Sequence, residues 1–372
     1  MKWVRLLLFV LIALTIWGSI HYYVYNRISY YFNLSGTRRI YYGIIFFFLF
    51  ISLLVARLIA RLFPHSHYIP LIFHLLAYFW VGIVFYLFIY SLSADIIRIF
   101  LSRILKFPKN VYGIILLTLT IVTVIYGFFE AFSVRTITLN QKMKNLKETT
   151  RIVFLSDLHL GLNLNYLLLK KIIPEINSFS PDIILIGGDI LDEEAKGIET
   201  YTKIFKRMNS RFGIFAVTGN HDIYAGEDLV VNFLKKANVH LLRNRIEVIK
   251  DIQVAGIEDE SILGQKWKHV LEKILKKANP SLPLILLKHR PTGREIAKQY
   301  GVDLMLCGHT HKAQLFPLHL ITSRVYRYYY GYHRENGLRI YVTSGLGTWG
   351  PPIRVMARPE LVLITLKPDK IR

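Results

Sequence analysis

The sequence has 372 residues, 47 Lys and Arg against 25 Asp and Glu, and a formal net charge of +22. Its length allows one ordinary domain and a further region, and its single cysteine, Cys307, excludes an intramolecular disulfide. The positive charge favours anionic lipid headgroups or other phosphorylated partners. We expect no nucleic-acid partner, because no stripe of basic and aromatic residues falls on a recognisable nucleic-acid fold.

The first 133 residues have the composition of a membrane region, since only three carboxylates occur before residue 151. A helix needs roughly 20 apolar residues to cross a bilayer. Four stretches approach that length, near residues 6–24, 40–60, 69–92 and 111–130. We therefore predict four transmembrane helices in an integral, multi-pass membrane protein. The loops on one face carry eight basic residues and those on the other seven, so the positive-inside rule does not fix the orientation.

The chain after the last apolar stretch changes character. Residues 134–150 are polar and basic without apolar periodicity, which predicts a short tether of at most about 55 Å. In the domain that follows, 151–372, apolar runs at Arg151–Ser156, Asp182–Ile186 and Gly213–Val217 alternate with helical spacing. This alternation predicts parallel βαβ units. Later segments have more strand character, so we expect an α/β domain with two packed sheets flanked by helices.

Polar side chains follow the predicted strands of this domain at the points where the strands end. Ligands bind beyond the carboxyl ends of strands in open α/β sheets, so these side chains are expected to converge. Carboxylate oxygens and imidazole nitrogens suit manganese, iron or zinc, and a bridging carboxylate can hold two ions about 3.5–4 Å apart. The pattern therefore predicts a site for two divalent metal ions. The residues concerned are Asp157, His159, Asp189, Asn220, His221, Asp222, His289, His309 and His311.

These positions carry a family resemblance. From about Arg151 to Leu366, the chain resembles the calcineurin-like metallophosphoesterase superfamily, whose fold is a four-layer α/β/β/α sandwich. The motifs are Asp157-Leu-His159, Gly188-Asp189, Gly219-Asn220-His221-Asp222, His289 and Gly308-His309-Thr310-His311.

The resemblance implies a role for each residue. It implies a first metal bound by Asp157, His159, Asp189 and His311. It implies a second metal bound by Asp189, Asn220, His289 and His309. His221 is then an imidazole that binds no metal but stabilises the transition state or protonates the leaving oxygen, with Asp222 to orient it. Alternatively, Asp222 caps the helix that begins near Glu227 or pairs with a nearby Arg.

Two C-terminal segments resemble a narrower, membrane-associated branch that includes enzymes similar to UDP-2,3-diacylglucosamine pyrophosphohydrolases. They are Ser344–Arg354 and Arg358–Glu360. That branch usually has two glycines and a glutamine after the last metal histidine, where this chain has Lys312, Ala313 and Gln314. The expected function is hydrolysis of a phosphodiester or pyrophosphate bond in a lipid-linked substrate at the bilayer. The alternatives are a phosphomonoesterase acting on soluble or protein phosphate, and an inactive membrane scaffold.

Two further segments have less specific patterns. The acidic run Asp192–Glu194 is interpreted as the solvated start of a helix rather than as a source of metal ligands. The segment Ser323–Glu335 is rich in Tyr and Arg, which suits a membrane interface or a phospholipid headgroup, but an ordinary hairpin explains it equally well.

Overall fold

The computed structural model describes residues 2–63, 66, 68–101, 107–193 and 195–369. The chain divides into two compact units, the first comprising residues 1–128 and 350–353, and the second comprising residues 129–349 and 354–372. The N-terminal helices are α1 (Lys2–Tyr31), α2 (Gly36–Phe50), α3 (Ser52–Leu62), α4 (Tyr68–Leu101) and α5 (Lys109–Ala131).

The number of membrane spans differs from the predicted four. Among the described residues, Tyr68–Phe100 and Lys109–Ala131 are long and apolar enough to cross a membrane. The predicted second span is broken at Ile51 into α2 and α3, which are inclined by 50° and make a third candidate only if they are taken together. The span predicted near 6–24 falls in α1, where some of the first residues lie outside the described part. The structure thus supports two or three apolar spans rather than a clear four.

The first unit has its own apolar core, contributed by α1, α2, α4 and α5. Val24, Phe46, Trp80 and Leu116 are buried in it. His21 lies beside this core and accepts a hydrogen bond from Trp80 Nε1 at 3.0 Å. A polar group in apolar surroundings requires such a partner.

The second unit alternates strands and helices. Its strands are β1 (Arg135–Met143), β2 (Thr150–Leu155), β3 (Ile183–Ile186), β4 (Ile214–Ala216), β5 (Val239–Leu241), β6 (Arg245–Ile249), β7 (Ile252–Gly256), β8 (Leu284–Leu287), β9 (Leu304–Cys307), β10 (Gly331–Glu335), β11 (Leu338–Val342) and β12 (Glu360–Pro368). Its helices are α6 (Asn165–Ser178), α7 (Ile198–Phe205), α8 (Asn220–Ala225), α9 (Glu227–Lys236), α10 (Glu260–Leu263), α11 (Trp267–Leu275), α12 (Arg294–Gln299) and α13 (His319–Val325).

These strands form two sheets of six. The first has the order β1-β12-β2-β3-β4-β5, and the second has the order β10-β11-β9-β8-β7-β6. One core cluster joins the facing sides of the two sheets and includes Phe154, Leu185, Leu287 and Leu306. Two further clusters pack α6, α7 and α9 against the first sheet, and α11 and α12 against the second. The prediction of a mixed α/β fold with two sheets is confirmed.

The segment predicted as a tether, 134–150, is different in the structure. Arg135–Met143 forms β1 and pairs in parallel with β12, with Arg135 opposite Glu360. The side chains of β1 alternate between half-buried and exposed, because it is an edge strand packed on one face only. This one-sided burial explains why its composition is polar.

The topology brings the predicted site residues together. Strands β2, β3 and β4 run parallel in the first sheet, and β8 and β9 run parallel in the second. Their carboxyl ends therefore lie at one edge of each sheet, and the loops that leave these ends carry the polar side chains.

Candidate metal centre

The strand ends turn sharply at the predicted ligands. Asp157, His159, Asp189, His309 and His311 all have positive φ, between 44° and 72°. Residues other than glycine rarely adopt this left-handed conformation, which costs on the order of 1–3 kcal/mol and is concentrated at functional sites. Five of the residues whose side chains converge therefore have a strained backbone.

A first group is formed by Asp157, His159 and His311, whose ligand atoms lie within 4.8 Å of one another. His159 Nε2 is 3.0 Å from His311 Nε2, which in turn is 3.5 Å from Asp157 Oδ1. Burial lowers the pKa of His311 well below its ordinary value, and the charges of His159 and Arg354 lower it further. His311 is therefore neutral, which is the form of imidazole that coordinates a metal.

A second group is formed by Asp189, His289 and His309, again within 4.8 Å. His289 Nε2 lies 3.2 Å from both Asp189 Oδ2 and His309 Nδ1. His289 Nδ1 is 2.8 Å from the Gly187 carbonyl oxygen, to which it donates, and this contact leaves Nε2 to face the centre. Burial lowers the pKa of His309 to about 3, with the charges of His289 and Arg290 adding to the effect.

Asp189 lies between the two groups. Its Oδ2 is 3.6 Å from His159 Nε2 and 3.2 Å from His289 Nε2, while its Oδ1 accepts a hydrogen bond from the backbone N–H of His221 at 2.8 Å. Burial raises the pKa of Asp189, but the surrounding imidazoles outweigh burial and hold the pKa well below its ordinary value. The carboxylate is thus placed and charged as a bridge between two cations would be.

Buried polar atoms that lack a hydrogen-bond partner show whether this group of residues is suited to metal ions. In the described part of the chain, Asp157 Oδ2 and Asn220 Oδ1 are buried and have no hydrogen-bond partner. An unsatisfied buried polar atom costs about 1–3 kcal/mol, and more for a charged group, unless something compensates it. A divalent cation in the first group, to which Asp157 belongs, would compensate the carboxylate oxygen. The donor set, in which carboxylate and amide oxygens are combined with imidazole nitrogens, fits two such ions.

Two glycines of the motifs are required by close approach. A Cβ at Gly219 would overlap the Asp189 carboxylate, and a Cβ at Gly308 would overlap Ser156 and Asp157. Only glycine lets the backbone pass this near to the ligand side chains. The glycines therefore set the spacing of the centre.

His221 stands beside the centre, with its ring centroid 4.7 Å from that of His159. Its Nδ1 is 2.9 Å from Asp192 Oδ1, so the carboxylate holds one ring nitrogen and leaves Nε2 for proton transfer. Burial raises the pKa of Asp192, but the neighbouring His159 and His221 outweigh burial and hold the pKa well below its ordinary value. The interpretation of Asp192 as a solvated helix start was wrong, because its side chain points to the site and contacts His221.

Asp222 has a different set of contacts from those expected for an orienting group. Its Oδ1 accepts hydrogen bonds from the backbone amides of Ile190 and Leu191, both at 2.9 Å, and its Oδ2 accepts one from Gly219 at 2.8 Å. Asp222 therefore ties the turn after β3 to the turn after β4. Its predicted role toward His221 stays a prediction, and Asp192 is the carboxylate in contact.

Three further residues around the centre were missed by sequence reasoning. The hydroxyl of Tyr326 is 3.0 Å from His309 Nε2, and the buried Arg354 has its Nη2 3.3 Å from His311 Nδ1. The exposed indole of Trp349 lies against His221, with 5.6 Å between ring centroids. Only the C-terminal resemblance pointed to Trp349 and Arg354, and the interface pattern pointed to Tyr326.

Known proteins with similar sequences show the family of the second unit. Residues 150–313 match the family described as calcineurin-like phosphoesterase. A metallophosphoesterase of Campylobacter jejuni, itself uncharacterised, is 31% identical over 98% of this chain and 99% of its own length. The chain belongs to the calcineurin-like metallophosphoesterase family. This membership makes the protein a metal-dependent phosphoesterase, and the roles of its individual residues remain predictions.

Other relatives of this metallophosphoesterase are matched over part of their length. A Danio rerio protein described as a transmembrane protein with metallophosphoesterase domain is 31% identical over 68% of this chain, and a Helicobacter pylori metallophosphoesterase is 34% identical over 61%. The chain spans 62% of the length of each of these two relatives. Among solved structures, a dimetal phosphatase from Danio rerio is 10% identical, covers 59% of this chain and 99% of its own, and has a TM-score of 0.40. The apolar helices and the transmembrane relatives support membrane association.

Proposed function

We propose that the protein is a multi-pass, membrane-anchored hydrolase that uses two metal ions to cleave a phosphodiester or pyrophosphate bond in a lipid-linked substrate. The observation that carries the proposal is Asp189, a buried carboxylate between two groups of neutral and charged imidazoles. Divalent cations held there would supply Lewis-acid activation of the phosphoryl group and of the attacking water. Manganese, iron and zinc all suit the donor set.

The two ion sites would share one carboxylate. Asp157, His159, Asp189 and His311 would hold one ion, and Asp189, Asn220, His289 and His309 would hold the other. Three of these side chains make hydrogen bonds with the backbone: His309 N–H donates to Asp157 Oδ1 at 2.9 Å, His221 N–H donates to Asp189 Oδ1, and His289 Nδ1 donates to the Gly187 carbonyl oxygen. This fixed geometry reduces the reorganisation that the site needs during the reaction.

His221 would act as the proton donor. Asp192 accepts from its Nδ1 and stabilises the imidazolium, so Nε2 can protonate the departing oxygen and later recover its proton from solvent. Asp222 would act by fixing the turn that presents His221, through its three backbone hydrogen bonds. No covalent intermediate with the protein is required.

The lipid-linked substrate is supported by position in the chain. Only residues 132–134 separate the end of α5 from the start of β1, so the catalytic unit begins directly after an apolar helix. The resemblance to the diacylglucosamine branch in Ser344–Arg354 and Arg358–Glu360 agrees with a lipid substrate. We extend the proposal to four membrane spans, with the bent α2–α3 pair and α1 as the additional two, and to a four-layer arrangement of the second unit.

The proposal is tested with the full chain purified in detergent and reconstituted with manganese. Hydrolysis of bis-p-nitrophenyl phosphate is compared with that of p-nitrophenyl phosphate, and a lipid extract is screened for consumed species by mass spectrometry. We expect diester hydrolysis in the wild type and a loss of roughly 10²–10⁴-fold in His221→Ala, the usual contribution of general acid catalysis.

Two outcomes would count against this function. Faster hydrolysis of the monoester, with no lipid consumed, would favour a phosphomonoesterase acting on soluble or protein phosphate. Undiminished diester hydrolysis in His221→Ala would remove the proposed mechanism.

A further inference from the structure

Helix α13 exposes its apolar side chains. Leu320, Ile321 and Val325 are 61%, 64% and 68% exposed, whereas His319 and Thr322 are half-buried on the opposite side of the helix. A surface helix of a water-soluble domain normally has the reverse arrangement, with its apolar face turned to the core. The exposed side of α13 is therefore suited to an apolar environment.

The exposed surface extends beyond the helix. Phe316, which is stacked on His319, is 42% exposed, and Met356 beside it is 61% exposed. Together with Leu320, Ile321 and Val325 these residues form a surface that we call the α13 face. Contiguous exposed apolar surface of this kind marks an interaction site with a protein or a membrane.

Basic groups border the α13 face. Arg324 lies within α13 and Arg327 follows it, and both are exposed. Lys312 lines a cavity of about 110 Å³ behind the face, together with Phe316, His319, Tyr329, Val355 and Met356. An apolar surface with a rim of Arg and Lys complements a bilayer with anionic headgroups, because apolar side chains enter the acyl boundary while cations remain at the phosphates.

The chain path places this surface near the point where the second unit begins. Arg135, the first residue of β1, donates to Glu360 at 2.7 Å and also contacts the Tyr330 hydroxyl. Tyr330, five residues after the end of α13, therefore lies at the start of β1. Only residues 132–134 join β1 to the apolar helix α5 in the chain. This short connection favours a bilayer as the partner of the α13 face.

The α13 face is also joined to the metal centre. Tyr326, the residue directly after α13, contacts His309 Nε2 at 3.0 Å. Gln314, two residues before Phe316, donates from its Nε2 to the Trp349 carbonyl oxygen at 2.9 Å, and the Trp349 ring lies against His221. A headgroup at this face would thus be next to both the metal ligands and the proton donor.

We propose that the α13 face is an interfacial docking surface, which inserts into the headgroup region of the bilayer and presents membrane lipid phosphate to the metal centre. The docking itself needs no turnover and goes beyond the proposed function. Presentation of a lipid phosphate rests on that function.

The docking is tested in liposomes that contain the full chain, by labelling Leu320→Cys or Val325→Cys with an environment-sensitive fluorophore. Cys307 is fully buried, so the wild type gives the labelling background. The matched control is Val248→Cys, which is 58% exposed on β6, at the opposite edge of the second sheet from β10. Headgroup-proximal quencher lipids should reduce the fluorescence at residues 320 and 325 roughly twofold, since an interfacial helix is buried about 5–10 Å into the boundary, and should leave residue 248 unchanged.

The pattern of quenching at the three labelled residues decides whether the α13 face docks to the bilayer. Equal quenching at residues 248 and 320, or none at either 320 or 325, contradicts docking. A change in the fluorescence of the label at residue 320 that depends on protein concentration and not on the quencher lipid indicates that a second copy of the chain covers the α13 face. That result also contradicts docking to the bilayer. Quenching that is lost when Ile321→Asp is added to Val325→Cys, and that increases with the fraction of phosphatidylglycerol, supports the proposal.

A second measurement separates docking from catalysis. Leu320→Asp combined with Ile321→Asp should reduce the wild-type rate on a lipid phosphodiester in liposomes roughly tenfold, about 1.4 kcal/mol, because two apolar side chains that would enter the boundary are replaced by charged ones. The same variant should keep its rate on soluble bis-p-nitrophenyl phosphate. A loss on both substrates would show damage to the site and overturn the presentation role, whereas an inactive wild type with normal quenching would overturn the proposed function and leave docking intact.

Discussion

The two sheets of the second unit contribute different atoms to the candidate metal centre. The first sheet supplies all the oxygens, from Asp157, Asp189 and Asn220, together with His159 and His221. The second sheet supplies only imidazoles, from His289, His309 and His311. The oxygens follow β2, β3 and β4, whereas the imidazoles follow β8 and β9.

The supports of these two sets also differ. One carboxylate oxygen of Asp157 and one of Asp189 accept backbone hydrogen bonds, from His309 and His221 respectively. Two imidazoles of the second sheet contact side chains of the C-terminal segment, with Tyr326 at His309 and Arg354 at His311, whereas His289 donates to the Gly187 carbonyl oxygen. The first sheet thus supplies the negative charge of the candidate centre, while His309 and His311 of the second sheet are supported by the C-terminal segment.

The largest effect should come from the shared oxygen ligand. Asp189→Asn removes the charge that both ions would share, so we expect activity to fall by roughly 10³-fold or more, about 4 kcal/mol, and both ions to be lost. His309→Ala removes a ligand from one group only and should leave about half of the bound metal. Elemental analysis measures the metal content of the two purified variants. Equal metal loss in both would contradict the prediction that Asp189 is shared by two ions and His309 belongs to one.

Substitutions of two aspartates of the first sheet should have different effects, one on the rate of proton transfer and the other on stability. Asp192→Asn removes the charge beside His221 and should lower the rate roughly 10²-fold with little change in the melting temperature. Asp222→Asn disturbs three buried backbone hydrogen bonds and should lower the free energy of unfolding by about 1–3 kcal/mol. Unfolding can be followed with a thiol-reactive dye, because Cys307 is buried in the native state. If Asp222→Asn instead lowers the rate and Asp192→Asn instead lowers the stability, Asp222 would be the residue that orients His221.

Within the second sheet, the support of His309 can be tested directly. Tyr326→Phe removes the hydroxyl at His309 Nε2 and should weaken the binding of one of the two ions by roughly tenfold, as for other second partners of metal-bound histidine. Tyr332→Phe is the matched control, since its hydroxyl contacts Gln141 at 3.2 Å on the surface. Metal titration by calorimetry measures the difference, and identical affinities would show that Tyr326 does not position His309.

The smallest effect concerns strain after the last histidine. Lys312, Ala313 and Gln314 have φ of +50°, +67° and +52°, so three successive residues other than glycine lie in the left-handed region. Ala313→Gly should stabilise the second unit by about 0.5 kcal/mol, because relief of the left-handed strain exceeds the entropic cost of glycine. Ala297→Gly in α12 lacks this strain and should destabilise by about 1 kcal/mol. Melting temperatures that fall equally for both would show that the 312–314 turn carries no strain.

Much of the site could be predicted because each ligand is adjacent in sequence to an apolar strand. The runs before Asp157 and His289 are short, apolar and buried strands. Such runs can be recognised in a sequence without knowing which strands they pair with. Strand β1 was missed because an edge strand shows only alternate burial, although Ile137 and Leu139 do repeat at the spacing of two that indicates a strand. The polar composition of residues 134–150 predicted a tether, although the spacing of the apolar residues in Arg135–Met143 indicated a strand.

The sequence by itself determined the family, the two-sheet α/β domain, the apolar N-terminal region and the kinds of atoms in the metal centre, because these depend on local patterns. Only the tertiary structure decided which carboxylate meets His221, since Asp192 and His221 follow different strands and are joined by packing of β3 against β4. The same holds for Tyr326 at His309 and for Arg135 at Glu360. Such contacts depend on how separate elements pack, which no local pattern of residues specifies.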